Sequence, residues 1–97
     1  MKTTNEYIRL LHDYKCTHAA AYGIERMGIF GSVARGEQKE NSDIDIYYEG
    51  PAMSLSGNVR LLEDLERLLG AHVDIIRKHK YLKSEFVNRL EKDLIYV

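Results

Sequence analysis

The sequence predicts a small α/β (α+β) fold: a mixed β-sheet with helices packed on one face. Three observations lead there. Stretches with apolar residues at helical spacing alternate along the chain with short apolar strands. The segment Asp43 to Tyr48 alternates polar and apolar strictly, the mark of a strand with one buried and one wet face. The chain of 97 residues, 44% hydrophobic and 30% charged with a single proline, has the composition of one globular domain, residues 1–97. A domain of this size buries a core but does not enclose a large ligand, so its site is expected to be an open cleft.

The elements follow in order. From Asn5 to Tyr22, Tyr7, Ile8, Leu11 and Tyr14 fall on one helical face, and Gly23 is placed to end that helix in a left-handed conformation. Arg26 to Phe30 reads as a strand and Gly36 to Ser42 as a polar loop. In the next strand Asp43, Asp45 and Tyr47 share one face, and Ile44, Ile46 and Tyr48 the other. Gly50 and Pro51 stop it. After a loop through Gly57, in which Ser54 or Ser56 caps the next helix, Val59, Leu62, Leu65 and Leu69 are its expected buried stripe, with Gly70 as C-terminal cap. A third strand, His72 to Ile76, sets Val73 and Ile75 one way and His72, Asp74 and Ile76 the other. A last helix from about Tyr81 carries Phe86, Leu90 and Leu94 on one face.

Charge and composition exclude several functions. Fourteen basic against fifteen acidic residues give a net charge of -1, without the basic excess that neutralises nucleic-acid phosphates. No apolar run approaches the length of a membrane span or a signal-peptide core, so no membrane partner and a cytoplasmic location are expected. Cys16, the only cysteine, reads as a small buried apolar group. The four histidines are scattered over different elements and do not form a zinc set, and Arg77 to Lys80 reads as a solvated charge run.

The chemistry concentrates in two places. Asp43 and Asp45 lie side by side on a strand otherwise made of isoleucine and tyrosine, and Asp74 joins the same face if its strand is a neighbour. Carboxylates about 5 Å apart repel by roughly 3 kcal/mol at an effective dielectric near 20, so such a cluster holds protons or binds cations. Hard oxygen donors at an open site suit magnesium or manganese, with phosphate oxygens completing the shell. The second place is Gly31-Ser32, at the end of the first strand. A glycine there lets a phosphate approach the backbone, Ser32 can cap a short helix and donate its hydroxyl, and Arg35 lies one turn on.

Phe30-Gly31-Ser32, ten further residues, Asp43-Ile44-Asp45-Ile46, and later Val73-Asp74-Ile75 resemble the signature of the polymerase-beta-like nucleotidyltransferase superfamily. The string Gly31 to Glu37, with Ser42 to Ile46, resembles its minimal (MNT) members, and the match covers essentially the whole chain. Tyr47-Tyr48 and the basic run after the third strand depart from the usual pattern without touching the motif residues. The resemblance implies transfer of a nucleoside monophosphate, AMP from ATP, to a hydroxyl, with release of pyrophosphate. It implies that Gly31 and Ser32 hold the outer phosphates with support from Arg35. Asp43 and Asp45 would bridge two Mg2+ or Mn2+ ions, and Asp74 would help bind the ion that activates the acceptor. Minimal members are commonly antitoxins that adenylylate a tyrosine of a cognate HEPN toxin, which would supply the second wall of the site. Two readings stay open beside it: an interaction module that neutralises its partner by binding alone, and a small-molecule or RNA nucleotidyltransferase built by homo-oligomerisation.

Overall fold

A computed structural model describes residues 2–97. Its elements are α1 (Thr4–His18), continued by a 3-10 turn over Ala19–Tyr22, then β1 (Arg26–Phe30), α2 (Gly31–Ala34), β2 (Ile44–Glu49), α3 (Leu55–Leu69), β3 (Val73–Arg77), α4 (Ser84–Asp93) and β4 (Ile95–Tyr96). The mixed α/β class stands as expected. The sheet has the order β3-β2-β1-β4, with β2 and β3 parallel and the β1 pairings antiparallel.

The core lies between the sheet and α1 and α3. Met27 and Ile29 from β1, with Ile44, Ile46 and Tyr48 from β2, meet Tyr7, Leu11 and Tyr14 of α1 and Leu61, Leu65 and Leu69 of α3. Complete burial of a leucine such as Leu65 contributes about 2 kcal/mol by removing its apolar surface from water. Local signals support the tertiary ones. Thr3 and Glu6 form a reciprocal capping box at the start of α1, and the Ser54 hydroxyl accepts from the Gly57 amide to cap α3. Asp64 on α3 accepts from the hydroxyls of both Tyr14 and Tyr22, tying the first helical segment to the third.

Several expectations are corrected. β2 begins at Ile44, so Asp43 precedes the strand, and β3 begins at Val73, leaving His72 in the turn. The buried stripe of α3 is Leu61, Leu65 and Leu69; Val59 is 46% exposed and Leu62 only half-buried. The helix carries more apolar residues than one face can bury, and contact with the sheet selects the phase. α4 starts at Ser84, so Tyr81 is outside it and Leu94 lies past its end. Ser32 lies inside α2 and does not cap it; the cap position is Phe30, with no side-chain bond. Cys16 is exposed on the outer face of α1.

A fourth strand joins the three expected. β4 pairs with β1 at Gly28 and Ile29, where a Cβ on Gly28 would lie 2.7 Å from the Leu94 side chain and 2.8 Å from the Ile95 carbonyl oxygen. Only a glycine permits that approach. α4 therefore reaches the face opposite α1 and α3 at the β1 edge, while the β2–β3 half of that face stays open at Asp45 and Asp74, with Tyr47 beside them buried.

Candidate functional site

The open half-face is built by register. In the parallel β2–β3 pair Asp45 stands opposite Asp74, and across the antiparallel pair Asp45 stands opposite Phe30. Asp45 and Asp74 therefore project from neighbouring strands on one face, about 5 Å apart at the backbone. Asp43 flanks them from the loop before β2, on the rim of a cavity of about 500 Å3 also lined by Ser42, Glu66 and His72. Among the described residues no hydrogen bond or ion pair within the chain engages these three carboxylates. Asp45, half-buried, is held above the usual carboxylate range, first by desolvation and then by the charges of Asp74 and Asp43, with Arg35 opposing.

Gly31 closes the site from the β1 side. Its φ of 73° is left-handed, and a Cβ there would overlap Asp45 Oδ2, so both the turn and the neighbouring carboxylate require a residue without a side chain. The chain then enters α2, with Ser32 half-buried in its first turn. Two tethers position this turn. The Thr4 hydroxyl donates to the Val33 carbonyl at 2.6 Å, and Arg35 Nη1 donates to Asp93 Oδ2 on α4 at 2.6 Å. Arg35 Nε also donates to Glu37 at 2.9 Å. Two of the five guanidinium donors are thus occupied, one by Asp93 of α4 and one by Glu37 just after α2.

A group that the sequence reading passed over lies further along the same face. Glu49 accepts from the Tyr47 hydroxyl at 2.9 Å and the Tyr96 hydroxyl at 3.2 Å, and Arg26 stacks 3.8 Å above the Tyr96 ring. Burial, followed by the Glu49 contacts, raises the Tyr47 hydroxyl above its ordinary range, so it stays protonated. The only trace of this cluster in the sequence is the aromatic pair where aliphatic residues are usual; Tyr96 enters through β4, which periodicity did not reveal.

The donor set fits a hard divalent cation. It is all oxygen, it carries negative charge that Arg35 offsets only in part, and the raised Asp45 would be drawn back to its ionised form by a cation. Among the described residues no three His, Cys, Asp or Glu side chains are grouped so as to hold an ion by themselves. The carboxylates form an open row, and a cation there takes further ligands from substrate or water.

Comparison with known proteins gives the family and the fold. A family model described as nucleotidyltransferase domain matches residues 17–97. A protein of Methanocaldococcus jannaschii, provisionally named protein adenylyltransferase MJ1379, is 42% identical over the whole of both chains. A solved structure described provisionally as a minimal nucleotidyltransferase superimposes with a TM-score of 0.78 at 32% identity, covering 97% of this chain and 95% of the other. The MNT antitoxin fold also recurs, at 18% identity and a TM-score of 0.59, in a complex with the tri-AMPylated HEPN toxin of Shewanella oneidensis; the superposition covers 96% of this chain and 66% of that one. With its glycine turn facing a register-matched pair of aspartates, this chain belongs to the nucleotidyltransferase family, among its minimal members of the protein adenylyltransferase type.

Proposed function

We propose that this nucleotidyltransferase transfers AMP from ATP to a tyrosine hydroxyl of a cognate HEPN toxin and thereby acts as an antitoxin in the cytoplasm. The observation that carries the reading is the matched placement of Asp45 and Asp74 beside the Gly31 turn: two carboxylates share one sheet face next to a backbone whose missing side chain leaves Asp45 its room. The adenylyltransferase name of the full-length relative and the AMPylated HEPN toxin in the neighbouring complex support the nucleotide and the acceptor.

Residues 1–97 act as one nucleotidyltransferase domain in this reading. The Gly31 backbone and the Ser32 hydroxyl receive the outer phosphates, and the remaining donors of Arg35 reach toward them. Asp43 and Asp45 would hold the nucleotide's ions, and Asp74 would help hold the ion at the acceptor hydroxyl and accept its proton. Two Mg2+ or Mn2+ ions, when bound, neutralise charge at the α-phosphate and lower the pKa of the acceptor hydroxyl. The reaction forms an oxygen–phosphorus bond at the α-phosphate, breaks the bond to the β-phosphate, and releases pyrophosphate. The open half-face leaves room for the acceptor to form the second wall.

The test uses ATP labelled in its α-phosphate, Mg2+ or Mn2+, and the neighbouring gene's HEPN-domain product. The wild type is compared with a variant carrying Asp43→Ala and Asp45→Ala. Label on the partner with the wild type alone is the expected result. Neutralisation of the partner by the double variant, with no label from either protein, would overturn transfer in favour of inhibition by binding.

A further inference from the structure

Strand register sets Asp45 against Asp74, whereas Asp43 precedes β2 and takes its place from the loop of residues 36–43. That loop is fastened at its ends. The Gly36 and Glu37 amides donate back to the Val33 and Ser32 carbonyls at 3.1 and 2.8 Å, and the Ile44 amide donates to the His72 carbonyl at 2.9 Å. Its middle closes on itself, with the Lys39 amide donating to the Ser42 hydroxyl at 2.9 Å and the Ser42 amide to the Lys39 carbonyl at 3.0 Å. Among the described residues one hydrogen bond ties residues 38–43 to a distant part of the chain: Gln38 Nε2 donates to the Lys2 carbonyl at 3.2 Å.

Packing does little to replace that bond. Cavities of about 500 and 160 Å3 both lie against the loop, which contributes Glu40 and Ser42 to each, and Glu40, Asn41 and Asp43 are exposed. Gln38 is also costly to the fold, because its Oε1 is buried without a hydrogen-bond partner among the described residues. A methionine would fill much the same space without an unpaired acceptor, so stability by itself does not require an amide here. The acceptor of its one bond belongs to a short strap: Lys2 Nζ donates to the Leu69 carbonyl at 3.3 Å, and the Thr4 hydroxyl donates to the Val33 carbonyl. Residues 2–4 thus join α2, the Asp43 loop and the end of α3.

We infer that Gln38 is a positioning residue for Asp43, holding the loop to the Lys2–Thr4 strap so that this carboxylate stands ready beside Asp45. The inference rests on Asp43 acting as an ion ligand, as proposed above. Without the Nε2 bond the loop keeps its internal Lys39–Ser42 turn but swings on its two ends, and Asp43 moves with it. A metal–nucleotide complex must then order the loop as it binds, and affinity falls by the fraction of molecules in which Asp43 is in place. Once the ion is held, it fixes Asp43 itself. The effect therefore falls on the affinity for the metal–nucleotide, and through it on the KM for ATP, with kcat preserved.

The experiment is calorimetric titration of the full chain with Mn2+ and α,β-methylene ATP, whose bridging carbon blocks transfer, beside hydrogen exchange of the loop amides. Gln38→Met should raise the Kd at least about fivefold and speed exchange across residues 38–43 about tenfold, with Tm within about 4 °C of the wild type. Thr4→Val loosens the strap and should weaken binding in the same direction, while Thr4→Ser, which keeps the hydroxyl, should bind like the wild type. In an Asp43→Ala background Gln38→Met should have no further effect, because its action passes through that carboxylate. An unchanged Kd in Gln38→Met beside a weakened Asp43→Ala, or additive losses from the two, would overturn the inference and leave the ion role of Asp43 standing. Full affinity in Asp43→Ala would overturn that role, and the inference with it.

Discussion

Asp45→Asn removes one charge from a row of carboxylates that Arg35 opposes only weakly, while keeping the shape of the side chain. No bond within the described chain is lost, because none engages the Asp45 carboxylate. What is removed is repulsion and desolvation. At the spacing of neighbouring strands, about 5 Å, a unit pair at an effective dielectric near 20 costs about 3 kcal/mol. Solvent and salt reach these half-exposed groups, so a net relief of about 1 kcal/mol is expected. For a domain of this size that raises Tm by roughly 4–8 °C.

The pH dependence has a definite sign. The folded-state pKa of Asp45 is raised, chiefly by desolvation and then by Asp74 and Asp43, so folding disfavours the ionised form. The penalty is fully present above the raised pKa and disappears as pH falls below the ordinary carboxylate range. Thermal melts without divalent ions or nucleotide should therefore show the variant above the wild type at pH 7, with the gap closed near pH 3. Adding Mn2+ should raise the wild-type Tm and leave the variant nearly unchanged. A variant that melts at or below the wild type at pH 7, or a gap independent of pH, would refute the view that these carboxylates strain the fold for the sake of binding. AMP transfer by the variant should be lost in the same preparation.

Three further outcomes test other parts of the site. Gly31→Ala forces a left-handed φ on a residue with a side chain, at about 1–2 kcal/mol, and pushes Asp45 aside; kcat/KM should fall roughly a hundredfold while circular dichroism stays native. Asp93→Ala releases Arg35 from α4 and should lower the KM for ATP, whereas Arg35→Ala raises it. In the Arg35→Ala background Asp93→Ala should have no further effect, which a double-mutant cycle measures directly. Ser54→Ala removes the cap of α3, far from the carboxylates, and should cost about 1 kcal/mol in denaturant unfolding with kcat unchanged.

Much of the chain could be read because its local signals agree with its final contacts. The alternation through Asp45, Ile46 and Tyr47 placed a carboxylate on the face opposite the core, and Val73-Asp74-Ile75 did the same one strand away. The glycine at the end of β1 marked the turn. Misreadings arose where several local solutions were equally good. Leu55, Val59, Leu61, Leu62 and Leu65 support more than one buried stripe on α3, and only docking on Ile44 and Ile46 selected Leu61 and Leu65. β4 is too short to have a period and exists because Gly28 lets Leu94 and Ile95 approach β1.

What the sequence determined by itself was therefore every longer element, the face on which Asp45 and Asp74 project, and the family, since side-chain alternation and motif spacing are properties of the local chain. Only the tertiary structure decided that β2 and β3 are parallel neighbours in the register that sets Asp45 against Asp74, that Arg35 turns one donor to Asp93 and another to Glu37, and that α3 leaves Leu55 and Val59 exposed. Those features depend on pairings between residues distant in sequence, whose energies come from packing and charge contacts that exist only once the sheet has closed.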